Sequence, residues 1–195
     1  MKIKNAVVAL GLVLIASGPA WAGDDVATQD LTVQQIKAVK AGPSRQSSIQ
    51  LMAGVDRKDA IYAMGEKVKI NLKVNENAYV AVYNVGPKGK VTQLFPNRFQ
   101  KDNLIKAGHE TLVPSAGSGA EIKVSGSTGA ELIKVIASSK PLKVVPESIL
   151  AGDDVFMSVQ GGVDAFVQNL EVVAKAPPAD KVSIVNLAIK TVGAR

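Results

Sequence analysis

The chain has 195 residues, 47% of them hydrophobic and 21% charged, which is enough apolar side chain for the core of one ordinary globular domain. Its formal charge of +6 is spread along the sequence and the single Trp stands at position 21, so the clustered basic stripe with interleaved aromatics that nucleic-acid binding needs is missing. Cysteine is absent, which excludes disulfides, thiol catalysis, cysteine-ligated zinc and a lipid-modified cysteine.

The first 22 residues have the layout of an export signal. Lys2 and Lys4 precede an apolar run from Ala6 to Ala16, and Ala20 and Ala22 supply the small residues of a cleavage site. An apolar helix of that length reaches about 16 Å, against roughly 30 Å for a bilayer core, so the run is too short for a lasting anchor. Cleavage is expected after Ala22, with no stable membrane insertion afterwards. It removes two lysines and no acid and lowers the charge from +6 to +4. The short basic start and the AWA site point to a bacterial protein in the periplasm or secreted.

Residues 23–58 read as an N-terminal extension. Gly23 to Asp30 is polar and small, Leu31 to Lys40 allows a strand or a loose helix, and Ile49 to Val55 suits a short strand. From Glu66 to Val74 the pattern is strict: Val68, Ile70, Leu72 and Val74 alternate with Lys67, Lys69, Asn71 and Lys73. One strand with a wet lysine face is predicted there. Residues Tyr79 to Val85 are apolar at odd and even positions alike, the mark of a strand covered on both faces. Gly86-Pro87-Lys88-Gly89 is turn chemistry, and Val91, Gln93 and Phe95 then resume a period of two, which predicts a hairpin ending at Pro96-Asn97.

Beyond it, residues 96–109 are expected to form a long ordered loop anchored by Leu104 and Ile105. Further strands are expected near Glu110 to Pro114, Glu121 to Val124 and Ala130 to Ala137, the last filled on both faces. Pro141 and Pro146 flank a short extended piece. Val163, Phe166, Val167 and Leu170 recur at helical spacing after Gly161-Gly162, with Asp164 near the start and Lys175 near the end, so an amphipathic helix is predicted. Val182 to Val192 closes the chain as a strand with Val185, Leu187 and Ile189 on one side. The fold class is therefore mainly β: an antiparallel β-sandwich with one C-terminal amphipathic helix, preceded by a cleavable signal peptide.

Tyr62, Gly65-Glu66-Lys67-Val68, the run NAYVAVYNVGPKGKVTQLFPN, Asp102-Asn103-Leu104-Ile105, Ala107-Gly108, Pro114 and GAELIKVIASSKPL together resemble bacterial proteins carrying domain of unknown function 4384. The likeness runs from about Ile61 to Leu142. It implies a β-sandwich module over 59–143 in an exported protein, with 144–195 adding the helix and closing strand to the same domain. Such modules are fused in other proteins to kinase-like, caspase-like or envelope-associated parts, and the likeness implies no established activity.

Chemical candidates are few. His109, the lone histidine, would act as a general base only with a Ser and an Asp brought from elsewhere; otherwise it is a polar loop residue. A three-histidine metal site is impossible, and Asp24-Asp25 and Asp153-Asp154 lack the spaced oxygen ligands of a calcium loop. The sequence near Gly117 lacks a complete dinucleotide or phosphate loop, so no metal or cofactor is expected. Phe95, Asn97, Asp102 and Asn103, with His109, form a contact patch for a partner in one reading. In the other, Phe95 ends a strand in the core while the polar three satisfy turn backbone. The function these residues suggest is a non-enzymatic binding or assembly module of the cell envelope, with an envelope protein or glycan as partner. The alternatives are an exported hydrolase built on His109 and a glycan or small-ligand binder.

Overall fold

The computed structural model describes residues 47–194 other than 142, 153 and 175–180. The signal peptide, the segment from Leu31 to Lys40, Asp24-Asp25, Asp153 and Lys175 lie outside the described residues. Thirteen strands are described: β1 (Leu51–Val55), β2 (Ile61–Ala63), β3 (Lys67–Val68), β4 (Ile70–Val74), β5 (Ala78–Val85), β6 (Val91–Phe95), β7 (Leu104–Ile105), β8 (Thr111–Val113), β9 (Ile122–Lys123), β10 (Gly129–Ser138), β11 (Leu150–Ala151), β12 (Met157–Val159) and β13 (Val182–Val192). One α-helix, α1 (Gly162–Ala174), precedes the last of them.

An eight-stranded sheet in the order β11-β12-β6-β5-β10-β13-β2, with β7 also on β5, is the middle layer. Its centre is β5 against β10, antiparallel from Leu132↔Val85 to Ser138↔Tyr79. On one face Val80, Val82, Ile133, Val135 and Ala137 pack against Ile70, Leu72 and Val74 of a three-stranded sheet, β1-β4-β8. On the other, Ala81, Tyr83, Val85 and Ile136 pack against Val163, Phe166 and Leu170 of the helix. At its centre both faces of the sheet are thus dry, which is why the central strands show no polar alternation there. The expected mainly antiparallel sandwich with one C-terminal helix is the observed architecture; the β13–β2 pairing is parallel.

Several elements depart from the sequence pattern, each for a physical reason. The single strand predicted from Glu66 to Val74 is split, because Lys69 turns its N–H to the Asp56 carboxylate (3.0 Å) and its carbonyl to the Asp56 N–H (3.0 Å). Before the break β3 pairs with β9, and after it β4 pairs with β1 and β8. The alternation survives: Val68, Ile70, Leu72 and Val74 are all buried. In β6 the register with β5 slips between Val82↔Phe95 and Tyr83↔Gln93, leaving Leu94 as an extra residue. This bulge turns Phe95 away from the face of Val91 and Gln93, so that Leu94 and Phe95 enter the same core. The 96–109 loop holds a short strand, β7, on the end of β5, and β2, β11 and β12 are strands that the sequence pattern did not mark.

Helix α1 begins where the hairpin turn touches it. Gly162 has φ +58°, and a Cβ there would sit 2.8 Å from the Gly89 carbonyl oxygen, which accepts the Val163 N–H at 2.9 Å. Phe166 then reaches Tyr83, ring centroids 4.8 Å apart at 46°. Beside them Lys134 is 0% exposed and donates to Asn186 Oδ1 at 3.2 Å, on the strand directly across. Burial lowers its ammonium to about 8.

The unfolded chain therefore binds more protons than the native one between about pH 8 and the ordinary lysine value of 10.5, so the Lys134 contribution makes stability rise with pH across that window. Lys134→Met is expected to remove this rise relative to the parent protein, a difference on the order of 3 kcal/mol between pH 7 and 11. Urea midpoints measured across the window check it; parallel pH profiles for the two proteins would contradict it.

Candidate functional site

The three-stranded sheet and the β3–β9 pair do not cover the whole of the middle sheet. At the hairpin end, beyond β9, a cleft of about 530 Å³ opens onto it. Asn84, Thr92, Leu94 and Glu131 of the middle sheet form its floor. The chain from Glu121 to Ser127 lines one side, and the 86–90 turn with the stretch around Phe156 lines the rest. That volume lies within the range of small-molecule and peptide sites.

The floor mixes polar and apolar groups, Asn84, Thr92 and Glu131 lying among Leu94, Ile133 and Ile189. Asn84 pairs with Ile133 and Thr92 across the ladder, so its side chain shares a face with Glu131 two residues along β10. Glu131 Oε2 accepts from Asn84 Nδ2 at 2.6 Å. Burial pushes the Glu131 carboxyl up, opposed by hydrogen bonds from Asn84 and Thr191. Asn84 Oδ1 is buried and is the one such side-chain atom with no hydrogen-bond partner among the described residues. Asn84 Oδ1 is closed off from the cleft by its burial, so the acceptor that the floor presents is the half-buried Glu131 carboxylate. At the mouth, Lys88 and Lys90 are exposed, and Lys123 pairs with Glu121 at 3.2 Å.

The residues singled out in the sequence lie elsewhere. Phe95 is 1% exposed and is part of the core, so it offers a partner no surface; the aromatic of that loop that faces solvent is Phe99, at 58%. Asn97 is buried and organises the turn: its Nδ2 donates to the Leu94 carbonyl (2.9 Å) and its Oδ1 accepts from the N–H of Phe99 (3.0 Å) and Gln100 (2.9 Å). Asp102 accepts from the Leu104 N–H (3.0 Å), and Asn103 Nδ2 donates to the Val80 carbonyl (3.2 Å), tying the loop to β5. His109 is exposed, with Nδ1 3.0 Å from the Ala107 carbonyl oxygen. These side chains serve the backbone of one loop rather than meeting at a common point. Among the described residues no group of three or more His, Cys, Asp or Glu is placed to hold a metal ion, and no helix is long and apolar enough to cross a membrane.

Sequence reasoning missed the cleft because its two polar residues are 47 positions apart, and each sits in a strand read only for its apolar neighbours. The one signal was a polar residue interrupting each run: Asn84 in AYVAVYNV and Glu131 in GAELIKVIAS.

The architecture defines a β-sandwich module with a lateral cleft. Residues 61–141 match the family model described as domain of unknown function DUF4384, so the resemblance seen in the sequence holds over that stretch. Searches of curated proteins and of solved structures return no match to the chain. The matched residues have structural work in the fold. Tyr62 is buried and donates to Asp56 Oδ1 (2.7 Å), and Glu66 accepts from the Ala63 N–H (2.7 Å) and from Arg57 (2.6 Å) at the corner leading into β3.

A glutamic acid whose carboxyl is pushed up on folding holds more protons in the native state than in the unfolded chain, so its contribution is greatest at low pH. That contribution is lost as pH rises from the ordinary value of 4.5 through the native one. Glu131→Gln is expected to abolish this loss. Its urea midpoint, relative to that of the parent, should rise between pH 4 and 7, and a constant difference would contradict the burial of the carboxyl.

Proposed function

We propose that the protein is an exported bacterial cell-envelope component that acts as a non-enzymatic binding module, with the cleft above Asn84 and Glu131 as its binding site. The observation that carries the proposal is the floor of that cleft. Its one ionisable group, the Glu131 carboxylate, is desolvated by burial, which is costly for a charge. A ligand bearing hydrogen-bond donors offsets that cost on binding. Export is supported by the N-terminal pattern of two lysines, an apolar run and small residues at 20 and 22.

Thr92 lies on the cleft floor between Asn84 and Ser158 of the neighbouring strands, so Thr92→Trp fills the cleft from below. Envelope extract passed over the immobilised full chain is expected to leave compounds on the parent protein that the Thr92→Trp protein does not retain. Those compounds should raise the melting temperature of the parent alone, the stabilisation reaching about 2.7 kcal/mol at a hundredfold excess over Kd. Retention of the same compounds by both proteins would remove the cleft from the account. For export, N-terminal sequencing of the protein recovered from the periplasmic fraction should begin at Gly23; an intact N-terminus in the cytoplasm would contradict it.

A further inference from the structure

Resting on the cleft as the binding site, we infer that its occupant is an extended peptide that adds a strand to the open edge of β9 and directs a lysine side chain to Glu131.

The edge is identified by where the backbone groups go. Val124 gives its N–H to the Glu66 carbonyl (2.9 Å) and its carbonyl to the Gly65 N–H (2.9 Å), both on the β3 side. Successive residues of a strand turn these groups to opposite edges, so Lys123, which faces Lys67 in the register, turns its N–H and carbonyl away from β3. Among the described residues β9 pairs with β3 alone. The stretch that carries this edge, Glu121 to Ser127, also lines the cleft. A strand laid beside β9 extends the upper layer over the part of the middle sheet that it leaves bare, with ladder bonds on one side and the polar floor beneath.

The same geometry selects the chemistry of the occupant. An open strand edge asks for alternating N–H and carbonyl groups at strand spacing, which a peptide has and a sugar lacks. The Glu131 carboxylate accepts hydrogen bonds, so the side chain that reaches it must donate. A lysine ammonium brings three donors and the positive charge that a carboxylate hydrogen-bonded by the neutral Asn84 amide calls for. Lys88 and Lys90 at the mouth oppose a cation, but they are exposed, and salt screens exposed charges beyond about 10 Å. The half-buried contact at Glu131 is screened far less and decides the preference.

The test is a randomised heptapeptide library panned on the full chain, with the Glu131→Gln, Lys123→Pro and Lys123→Ala proteins in parallel. Lysine should be enriched at one register position on the parent protein. Replacing that lysine by norleucine should weaken binding at least tenfold, and Glu131→Gln should weaken it as much and erase the lysine preference. Lys123→Pro removes the edge N–H and should abolish binding, whereas Lys123→Ala keeps the N–H and should retain it. If Lys123→Pro does not fold, a selected peptide N-methylated at alternate backbone positions takes its place and should fail to bind. No lysine enrichment, an enrichment indifferent to Glu131→Gln, or full binding to Lys123→Pro would each overturn the inference. If no peptide is selected while envelope compounds still distinguish the parent from Thr92→Trp, the cleft stands and the peptide does not. If that distinction fails as well, both fall.

Discussion

The pairing of β5 with β10 is the constraint from which the rest of the molecule follows. Seven residue pairs are in register, and nearly every side chain on either face is buried. Each fully buried aliphatic is worth roughly 1.5–3 kcal/mol, so a two-stranded core of this kind is stable only when both of its faces are covered. The β1-β4-β8 sheet covers one face and the helix with residues Val144 and Val145 covers the other. Neither cover is self-sufficient. The helix presents only a stripe of Val163, Phe166 and Leu170, and the small sheet has a lysine-bearing outer side.

The cleft is a consequence of how that cover ends. The upper layer is continuous through β1, β4 and β8 and is carried sideways by β3 and β9, then stops. The middle sheet runs on beneath it as far as the 86–90 turn, and its last inward-facing positions are polar rather than apolar. Asn84 and Glu131 hold each other there at 2.6 Å, which limits the cost of leaving them under a partial roof without eliminating it. A matched domain family of unknown function supplies the setting, and the chemistry of the floor is what this chain adds.

What could be read in the sequence was whatever depends on neighbours in the chain. The alternation at Val68 to Val74, the two-faced runs of β5 and β10, the turn at 86–89 and the 3.6-residue stripe of α1 all needed no distant contact to be legible. What could not be read depends on partners far away in sequence. The break at Lys69 exists because Asp56 intercepts its backbone, the bulge at Leu94 because Phe95 is drawn into the core shared with β4, and β2 because β13 offers it an edge 129 residues later. Lys134 follows the same rule, since its hydrogen-bond partner Asn186 lies 52 residues away on β13. The loop residues Asn97, Asp102 and Asn103 have the turn-binding roles that their short polar side chains permit, and Phe95 closes the strand behind them.

Native-state hydrogen exchange tests the layered account most directly. If the centre of the middle sheet is sealed on both faces and the upper layer ends at an open strand, the amides of Val82, Val135 and Ile136 should exchange only through global unfolding, while the Lys123 amide exchanges orders of magnitude faster than that of Ile122, its neighbour paired to β3. Equal protection at Lys123 and Ile122, or exchange in β5 as rapid as in the 96–103 loop, would contradict it.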